Sequence, residues 1–242
     1  MKILAFDSSN QPLSVALVEN DTLITEQTIN MKRNHSIQLM PAVEEALKQA
    51  KWTLNDIDRI AVASGPGSYT GLRIAVTVAK SLSWARDIDL VGISSLQVLA
   101  ANSFQKEGTK IVPLFDARRQ NIYTGLYERN ADGELMQIAP DTHMPAAQWA
   151  EYLAKQEGPL EFIGQDAKMF KEIFEEKLGD RVHLADPTQN VPRASALAFI
   201  ALTAEPTPVH EFVPTYLKLA EAEENWLAEN PDFEGEDWVE KV

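Results

Sequence analysis

The stretch from Arg59 to Arg86 constrains the fold of this chain more than any other. Residues 59–63 form a short apolar run typical of a buried strand, and residues 72–86 lack glycine and proline and indicate a helix. The turn between them is rich in glycine and runs Ser-Gly-Pro-Gly-Ser-Tyr-Thr-Gly over 64–71. A strand, a glycine turn and a helix N-terminus often bind anions, because free amide groups and the helix dipole favour negative charge. The alternative is a tight turn without a ligand. The stretch lacks the lysine of a P-loop and the glycine spacing of a dinucleotide-binding motif, and both absences favour this alternative.

Strands and helices alternate along the rest of the chain. The predicted strands cover 2–7, 13–18, 22–29, 59–63, 88–92, 111–115, 122–127, 135–138 and 161–163, and the predicted helices cover 35–50, 71–86, 94–105, 145–156, 167–178 and 194–202. The opening order, three strands followed by alternating helices and strands, predicts a mixed sheet covered by helices. A second unit starts near Lys110 with a strand, a carboxylate at its end, a polar turn and a returning strand. This internal repeat of the opening elements indicates a duplicated α/β fold.

Length and charge suggest how the chain is divided. We expect an N-terminal lobe at 1–108, a C-terminal lobe at 109–218 whose last helix can pack back on the first lobe, and an acidic tail at 219–242. The tail holds nine acidic residues and one lysine, which is −8 of the chain's net charge of −14. Such a surface repels nucleic acid, so we expect no independent RNA binding.

The tail has two interpretations. Its composition is typical of a solvated acidic segment. Aromatic residues are unusual in such a segment, however, and this one contains Trp226, Phe233 and Trp238. A second hypothesis is therefore that these side chains dock on a neighbouring surface, of this molecule or of a partner.

Composition excludes several kinds of chemistry. The chain has no cysteine, so it has no disulfide, no thiolate zinc site and no cysteine nucleophile. Its four histidines are scattered, with no pair three or four residues apart, and no serine lies in a Gly-x-Ser-x-Gly elbow. No apolar run approaches the roughly 18 residues of a membrane span. We expect a cytoplasmic protein without a membrane association, a metal site or catalytic residues of its own.

Four motifs, in order, resemble the TsaB (YeaZ) family. They are the opening Ile-Leu-Ala-Phe-Asp-Ser-Ser with Leu-Ser-Val-Ala-Leu, the stretch Gly65 to Arg73, Asp-Ala-Arg-Arg at 116–119 leading to Tyr123, and Pro-Thr-Tyr-Leu-Lys at 214–218. Together they span about residues 1–218, and the Gly65–Arg73 stretch is the most specific of them. The resemblance implies the duplicated fold of the actin, sugar-kinase and Hsp70 superfamily, with two lobes that each carry a mixed sheet covered by helices.

The resemblance also implies a function. TsaB-like proteins are non-catalytic subunits that pair with the related catalytic protein TsaD, with TsaE as ATPase, to make threonylcarbamoyladenosine at position 37 of ANN-decoding tRNAs. It implies that ATP or ADP and a metal act only in the complex with TsaD and TsaE, that tRNA is bound only through that complex, and that the chain self-associates as a homodimer without TsaD. Two alternatives stay open: an independent ATP-using kinase or hydrolase of the same superfamily, and a homodimeric binding protein of another target.

Two sets of candidate residues follow. A vestigial phosphate loop would comprise Asp7, Ser8, Ser9, Gly65, Gly67 and Asp116. The first turn lacks the usual glycine, which favours Asp7 and Asp116 as strand-end caps rather than a catalytic pair. TsaD-like relatives carry an Asn-His-x-x-x-His pair on a helix, and here the corresponding positions are Ser95 and Leu99, which cannot replace two imidazoles as metal ligands.

The second set is a partner interface on two helices. The apolar arc of the helix at 71–86 is wider than the stripe of roughly 100° with which a surface helix packs on one sheet. A helix held between its own sheet and the 35–50 helix would have an equally wide arc, but TsaB-like proteins use these two helices to bind TsaD. The interface predicted from this resemblance comprises Leu39, Val43, Leu47, Gly71, Leu72, Ala75, Val76 and Ala79.

Overall fold

The computed structural model describes residues 1–31, 35–105 and 107–218, so the acidic tail at 219–242 and its three aromatic residues lie outside the described residues. The first half contains β1 (Lys2–Asp7), β2 (Leu13–Glu19), β3 (Thr22–Ile29), α1 (His35–Ala50), β4 (Arg59–Gly65), α2 (Tyr69–Arg86), β5 (Asp89–Ser94) and α3 (Ser95–Ala101). The second half contains β6 (Lys110–Asp116), β7 (Asn121–Arg129), β8 (Leu135–Pro145), α4 (Ala146–Ala154), β9 (Leu160–Ile163), α5 (Lys171–Leu178), β10 (Val182–Leu184) and α6 (Ala194–Ala201).

The two halves repeat one topology. The first sheet has the order β3-β2-β1-β4-β5, and the second has the order β8-β7-β6-β9-β10. In each sheet the first three strands along the chain pair antiparallel, and the next two are added in parallel. The helices also occupy equivalent places between the strands. The duplicated α/β fold predicted from the sequence is confirmed.

Each sheet is buried by helices on both faces. α1 and α2 cover one face of the first sheet, and α6 covers the opposite face, where it packs on Ile3, Ala5 and Ala16. α4 and α5 cover one face of the second sheet. α3 lies between the two sheets, because Val98 packs on the first sheet and Leu96 and Leu99 pack on the second. α6, the last helix within residues 107–218, therefore completes the core of the first half.

The segment after α6 continues along the first half. The amide of Thr207 donates to the carbonyl of Leu90 at 2.8 Å, and the amide of Thr215 donates to the carbonyl of Ser64 at 2.7 Å. Phe212 lies buried between these two points, within the core formed by α1, α2 and the first sheet. The segment thereby ties the C-terminal part of the described chain to β4 and β5.

Several element boundaries differ from the sequence prediction. β8 runs to Pro145 instead of ending near residue 138, and it contains Pro140 because it is an edge strand where a missing amide costs no ladder bond. α3 ends at Ala101 rather than near residue 105, and the side chain of Asn102 then donates to the carbonyl of Val191. The three-residue strand β10 was not predicted, since so short a run carries no periodic signal.

Glu26 on β3 anchors the start of α6. Its carboxylate accepts hydrogen bonds from the Arg193 Nε at 3.0 Å, from the Ser195 amide at 2.9 Å and from the Ser195 hydroxyl at 2.6 Å. Burial alone would raise the pKa of Glu26, but the bonds from Arg193 and Ser195 outweigh burial and leave the pKa below its usual value.

We expect the Glu26→Gln variant to lose about 1.5–3 kcal/mol of unfolding free energy at pH 7, because the donors of Arg193 and Ser195 then no longer face a charged acceptor. A lowered carboxyl pKa stabilises the fold above the unfolded pKa of about 4.3, and this contribution disappears as pH falls through the folded pKa. The variant should therefore lose less stability than the parent between neutral and acidic pH, measured by urea unfolding. Glu151→Gln on the exposed face of α4 is the control. An unchanged pH profile in the Glu26 variant would contradict this role.

Candidate functional site

The glycine turn lies against the turn that follows β1. The Ser68 amide donates to the carbonyl of Ser9 at 2.6 Å, and the Ser8 hydroxyl donates to the carbonyl of Gly71 at 2.8 Å. Ser68 is also the N-cap of α2, where its side chain accepts from the Gly71 amide. The helix therefore begins at Tyr69, two residues earlier than predicted, and its first turn is bonded to the β1–β2 turn.

The glycines in this turn leave room for the protein's own backbone. A Cβ atom built on Gly67 would lie 2.1 Å from the carbonyl oxygen of Ser9, and one on Gly71 would lie 2.1 Å from the carbonyl oxygen of Ser8. At Gly65, which has φ of +122°, the Cβ would lie 2.3 Å from the carbonyl oxygen of Thr215. The close approaches that glycine permits are therefore made by the chain itself, as in the interpretation of this stretch as a tight turn without a ligand.

The two strand-end carboxylates make the same contact in the two halves. The Asp7 carboxylate accepts from the Ser9 amide at 2.7 Å, and the Asp116 carboxylate accepts from the Arg118 amide at 2.8 Å. Each thus caps the turn after its strand. Asp7 is buried, and burial raises the pKa of its carboxyl group despite the bonds from Ser9.

The structure brings part of the predicted phosphate loop to one cavity. This cavity of ≈ 380 Å³ lies where the first and second halves meet, and it is lined by Asn10, Gln11, Gly67, Ser68, Asp116, Ala117, Arg118, Tyr123 and Lys218. Gly67 and Asp116 therefore lie on the same cavity. Asp7, Ser8, Ser9 and Gly65 are not among the lining residues.

The positions that correspond to the TsaD-like metal ligands are in the core. Ser95 and Leu99 are both completely buried in α3, between the two sheets. Within residues 1–31, 35–105 and 107–218, no group of three or more histidine, aspartate or glutamate side chains could hold a metal ion. The same part of the chain contains no helix long and apolar enough to cross a membrane.

The structure places most of the predicted partner interface inside the chain. Seven of its eight residues are buried inside this chain, and the eighth, Leu47, is partly buried against the same core. Their side chains face the first sheet because α1 and α2 pack on it directly, so they offer no surface to another protein. The buried set is Leu39, Val43, Gly71, Leu72, Ala75, Val76 and Ala79.

The opposite side of the same two helices is exposed and apolar. Ile37 is 69% exposed and Met40 is 42% exposed on α1, and Tyr69 is 56% exposed and Trp84 is 72% exposed on α2. An open groove of ≈ 440 Å³ runs along this side and is lined by Ser36, Tyr69, Thr70, Arg73, Ile74, Thr77 and Val78. We call this side of the two helices the helical face. Large exposed apolar side chains that cluster in this way mark interaction surfaces.

A cluster of side chains at one end of the helical face was not predicted from the sequence. The Tyr69 and Tyr216 rings stack with centroids 5.2 Å apart, and the Arg73 guanidinium lies 4.7 Å from the centroid of the Tyr69 ring. The Arg73 Nε also donates to the Tyr216 hydroxyl at 3.3 Å. The second and fourth sequence motifs therefore contact each other in the structure. The sequence could not predict this contact, because the two motifs lie about 140 residues apart and no local pattern links them.

Comparisons with known proteins agree with this geometry. The family model described as TsaD, tRNA N6-adenosine threonylcarbamoyltransferase, matches residues 22–226. The chain is 44% identical over 227 residues to the tRNA threonylcarbamoyladenosine biosynthesis protein TsaB of Bacillus subtilis (strain 168), across 94% of this chain and 98% of that protein. A Pseudomonas aeruginosa crystal structure, described as similar to the peptidase YeaZ, aligns with a TM-score of 0.76 at 25% identity, over 90% of this chain and 99% of that one.

A hexokinase supplies a more distant comparison. The ROK hexokinase of Thermus thermophilus aligns with a TM-score of 0.51 over 84% of this chain and 100% of that one, at only 10% identity, so the match shows the fold alone. It agrees with the predicted actin, sugar-kinase and Hsp70 fold class. The identity and coverage of the Bacillus subtilis protein are decisive: the chain belongs to the TsaB family of tRNA threonylcarbamoyladenosine biosynthesis proteins.

Proposed function

We propose that this chain is a non-catalytic subunit that pairs with TsaD and supports threonylcarbamoylation of adenosine 37 in ANN-decoding tRNAs. The observation that carries the proposal is the exposed helical face, with its exposed Ile37, Tyr69 and Trp84, on a member of the TsaB family. Side chains of this size and exposure are energetically unfavourable in water, and burying them against a partner removes that cost.

The pairing is proposed to place helix against helix. The centre of the exposed side of α2 carries the small residues Thr70, Thr77 and Ser81, with Ile74 and Val78 beside them. Small residues let a partner helix approach closely, while the large apolar side chains at the edges contribute most of the buried area. The same face would support a homodimer when TsaD is absent, since two copies of one apolar surface can pair about a twofold axis.

Two features support the non-catalytic role: the residues at the positions of the TsaD-like metal ligands, and the packing of the glycine turn. Ser95 and Leu99 stand where TsaD-like relatives have metal-binding histidines, and both are buried. The glycine turn is packed against Ser8, Ser9 and Thr215 of the chain itself. We therefore place ATP or ADP, the metal and the tRNA in the complex with TsaD and TsaE, and the protein in the cytoplasm.

Reconstitution tests this proposal. The chain is co-purified with tagged TsaD, and tRNA modification is followed by nucleoside mass spectrometry in mixtures that contain or omit this chain, TsaD, TsaE and the threonylcarbamoyl-adenylate synthase TsaC. We expect a stable complex with TsaD, modification only in the complete mixture, and none with this chain alone. Transfer of the threonylcarbamoyl group by the purified chain alone would overturn the non-catalytic role.

Two rival functions predict other results. An independent kinase or hydrolase would bind Mg-ATP in calorimetry with the isolated chain, and Asp7→Asn, which keeps an oxygen acceptor for the Ser9 amide, would weaken that binding. A homodimeric binding protein of another target would fail to co-purify with TsaD.

A further inference from the structure

A larger cavity lies where α3 and α6 meet the turn between β7 and β8. Its volume is ≈ 570 Å³, within the range of roughly 300–1,000 Å³ that is typical of small-molecule sites. We call it the α3–α6 cavity. It shares no lining residue with the cavity beside Gly67 or with the groove of the helical face. Its walls come from both halves of the chain, and ligand sites are frequent at junctions of this kind.

Hydrogen bonds hold the polar wall of the α3–α6 cavity in one arrangement. The Gln189 side chain, which is only 4% exposed, donates to the carbonyl of Asn102 at 3.0 Å, and the Asn102 side chain donates to the carbonyl of Gln189 at 3.3 Å. The Arg129 guanidinium donates to the carbonyl of Ala101 at 3.0 Å and to that of Gly133 at 2.9 Å. These bonds tie the end of α3 to the second half and fix the guanidinium in place. Such preorganisation lowers the entropy cost of binding a ligand.

The lining of this cavity is positively charged, although the chain has a net charge of −14. Arg129 and Arg193 line it, and Glu134 is the one carboxylate among the lining residues. Arg193 forms an ion pair with Glu26. Within residues 1–31, 35–105 and 107–218, Arg129 forms no ion pair, and its hydrogen bonds go to neutral carbonyl oxygens. A partly buried guanidinium without a paired carboxylate attracts an anion, and a carboxylate matches its planar donors.

The rest of the lining is largely apolar and includes two aromatic rings. Phe104, which is 79% exposed, and Phe199 on α6 line the cavity together with Leu135 and Ile200. Aromatic side chains offer a flat surface against which a planar ring can stack. One charged group beside an apolar surface favours a ligand with the same division, an apolar ring that carries a single negative group.

We infer that the α3–α6 cavity binds a small planar aromatic monoanion of the carboxylate class. The carboxylate of the ligand pairs with Arg129, and its ring packs on the apolar lining that contains Phe104 and Phe199. A ligand held in this way contacts α3, α6 and the β7–β8 turn together, so it joins the two halves of the chain. This inference does not depend on the proposed function, because it uses no residue of the helical face.

Two probes of the same shape test this site in the full chain. The compounds 2-naphthoate and 2-naphthamide share one fused ring system, and only naphthoate is negatively charged. Calorimetry measures the two affinities, and methyl chemical shifts in NMR spectra locate the binding site. We expect naphthoate to bind with a dissociation constant of about 1 mM or lower and at least about ten-fold more tightly than naphthamide. The methyl signals of Leu135 and Ile200 should shift, whereas those of Ile37 and Ile74 on the helical face should not.

Variants separate the charge of the cavity from its apolar lining. Arg129→Gln should abolish the preference for naphthoate over naphthamide, and Arg129→Lys, which keeps the positive charge, should retain part of it. The ratio of the two affinities is the readout, because a general loosening of the wall weakens both probes alike. Phe104→Ala should weaken naphthoate binding at least about three-fold. The matched control Trp84→Ala removes an equally exposed aromatic ring from the helical face and should change nothing.

Three results would overturn the proposal. They are the absence of naphthoate binding at about 10 mM, equal affinities of the parent chain for the two probes, and shifts confined to the helical face. An Arg129→Gln variant that folds and keeps the full preference for naphthoate would show that Arg129 does not bind the anionic group, and it would also overturn the proposal.

Discussion

We expect the Thr77→Glu variant to lose its partner while it keeps its fold. Thr77 is exposed on α2 and lines the groove of the helical face between Ile74 and Val78. Arg73 lines the same groove one turn away, but it is engaged with the Tyr216 hydroxyl and the Tyr69 ring. A carboxylate enclosed there by a second helix therefore has no free cation beside it and costs about 3–5 kcal/mol. That cost weakens binding at least about 100-fold, since 1.4 kcal/mol corresponds to a factor of ten. Calorimetric titration with TsaD and light scattering of the chain alone measure the two assemblies.

Two further variants make this result specific. Ala147→Glu adds the same charge at an exposed site in the first turn of α4 and should leave binding unchanged. Val76→Glu, on the buried side of α2, should unfold the chain, because Val76 is only 4% exposed and lies in the core. If Thr77→Glu binds TsaD with the parental affinity, the interface lies elsewhere on the molecule.

The Gly65→Ala variant should destabilise the chain by about 2–5 kcal/mol. Two effects combine there, because alanine is strained at the left-handed φ and its Cβ would overlap the carbonyl oxygen of Thr215. For a chain of this length, each 1 kcal/mol lowers the melting temperature by roughly 2–4 °C. Thermal unfolding followed by circular dichroism, without any ligand, measures the change.

Gly133 supplies the matched control for that effect. It also has a left-handed φ, of +83°, but a Cβ there would meet no atom within 4 Å. Gly133→Ala should therefore cost only the roughly 1–2 kcal/mol of backbone strain. Equal losses in the two variants would mean that the contact with Thr215 contributes nothing, and the glycine turn would again be open to interpretation as a ligand cradle.

The regular elements could be predicted well from the sequence. α1 lies at 35–50 as predicted, because its apolar residues recur at helical spacing, and the helix continues through Pro41 although the missing amide removes one hydrogen bond. The duplication was also evident, since Asp7 and Asp116 each follow a strand and each precede a polar turn. Both the helix and the duplication are visible in the spacing of residues close together in the chain, so a single sequence was enough to predict them.

The side of α2 that is open to a partner could not be predicted in the same way. Its apolar arc is wide because one part faces the first sheet, while Ile74 and Val78 at the edge line the exposed groove. Periodicity reports how wide an arc is, but not which part the chain itself covers. Ala75 and Val76 were predicted as partner contacts, but in this chain they face the first sheet, because small side chains suited to close helix packing are also suited to packing on a sheet.

The roles of the glycines depended on contacts far apart in the chain. Gly65 makes room for Thr215, and Gly71 makes room for Ser8. The sequence alone cannot distinguish a glycine that makes room for the protein backbone from a glycine that makes room for a phosphate group. Only the tertiary structure distinguishes them.

The return of the chain to its first sheet has a consequence for biosynthesis. The face of the first sheet around Ile3, Ala5 and Ala16 is covered by α6, and the strand β4 is bonded to Thr215. A nascent chain that ends before α6 therefore leaves the part of this sheet face around Ile3, Ala5 and Ala16 without the helix that covers it. The ribosome must release the residues around 194–215 before the first half can close, so a segment translated after the whole second sheet sets the moment at which the first half reaches its native form.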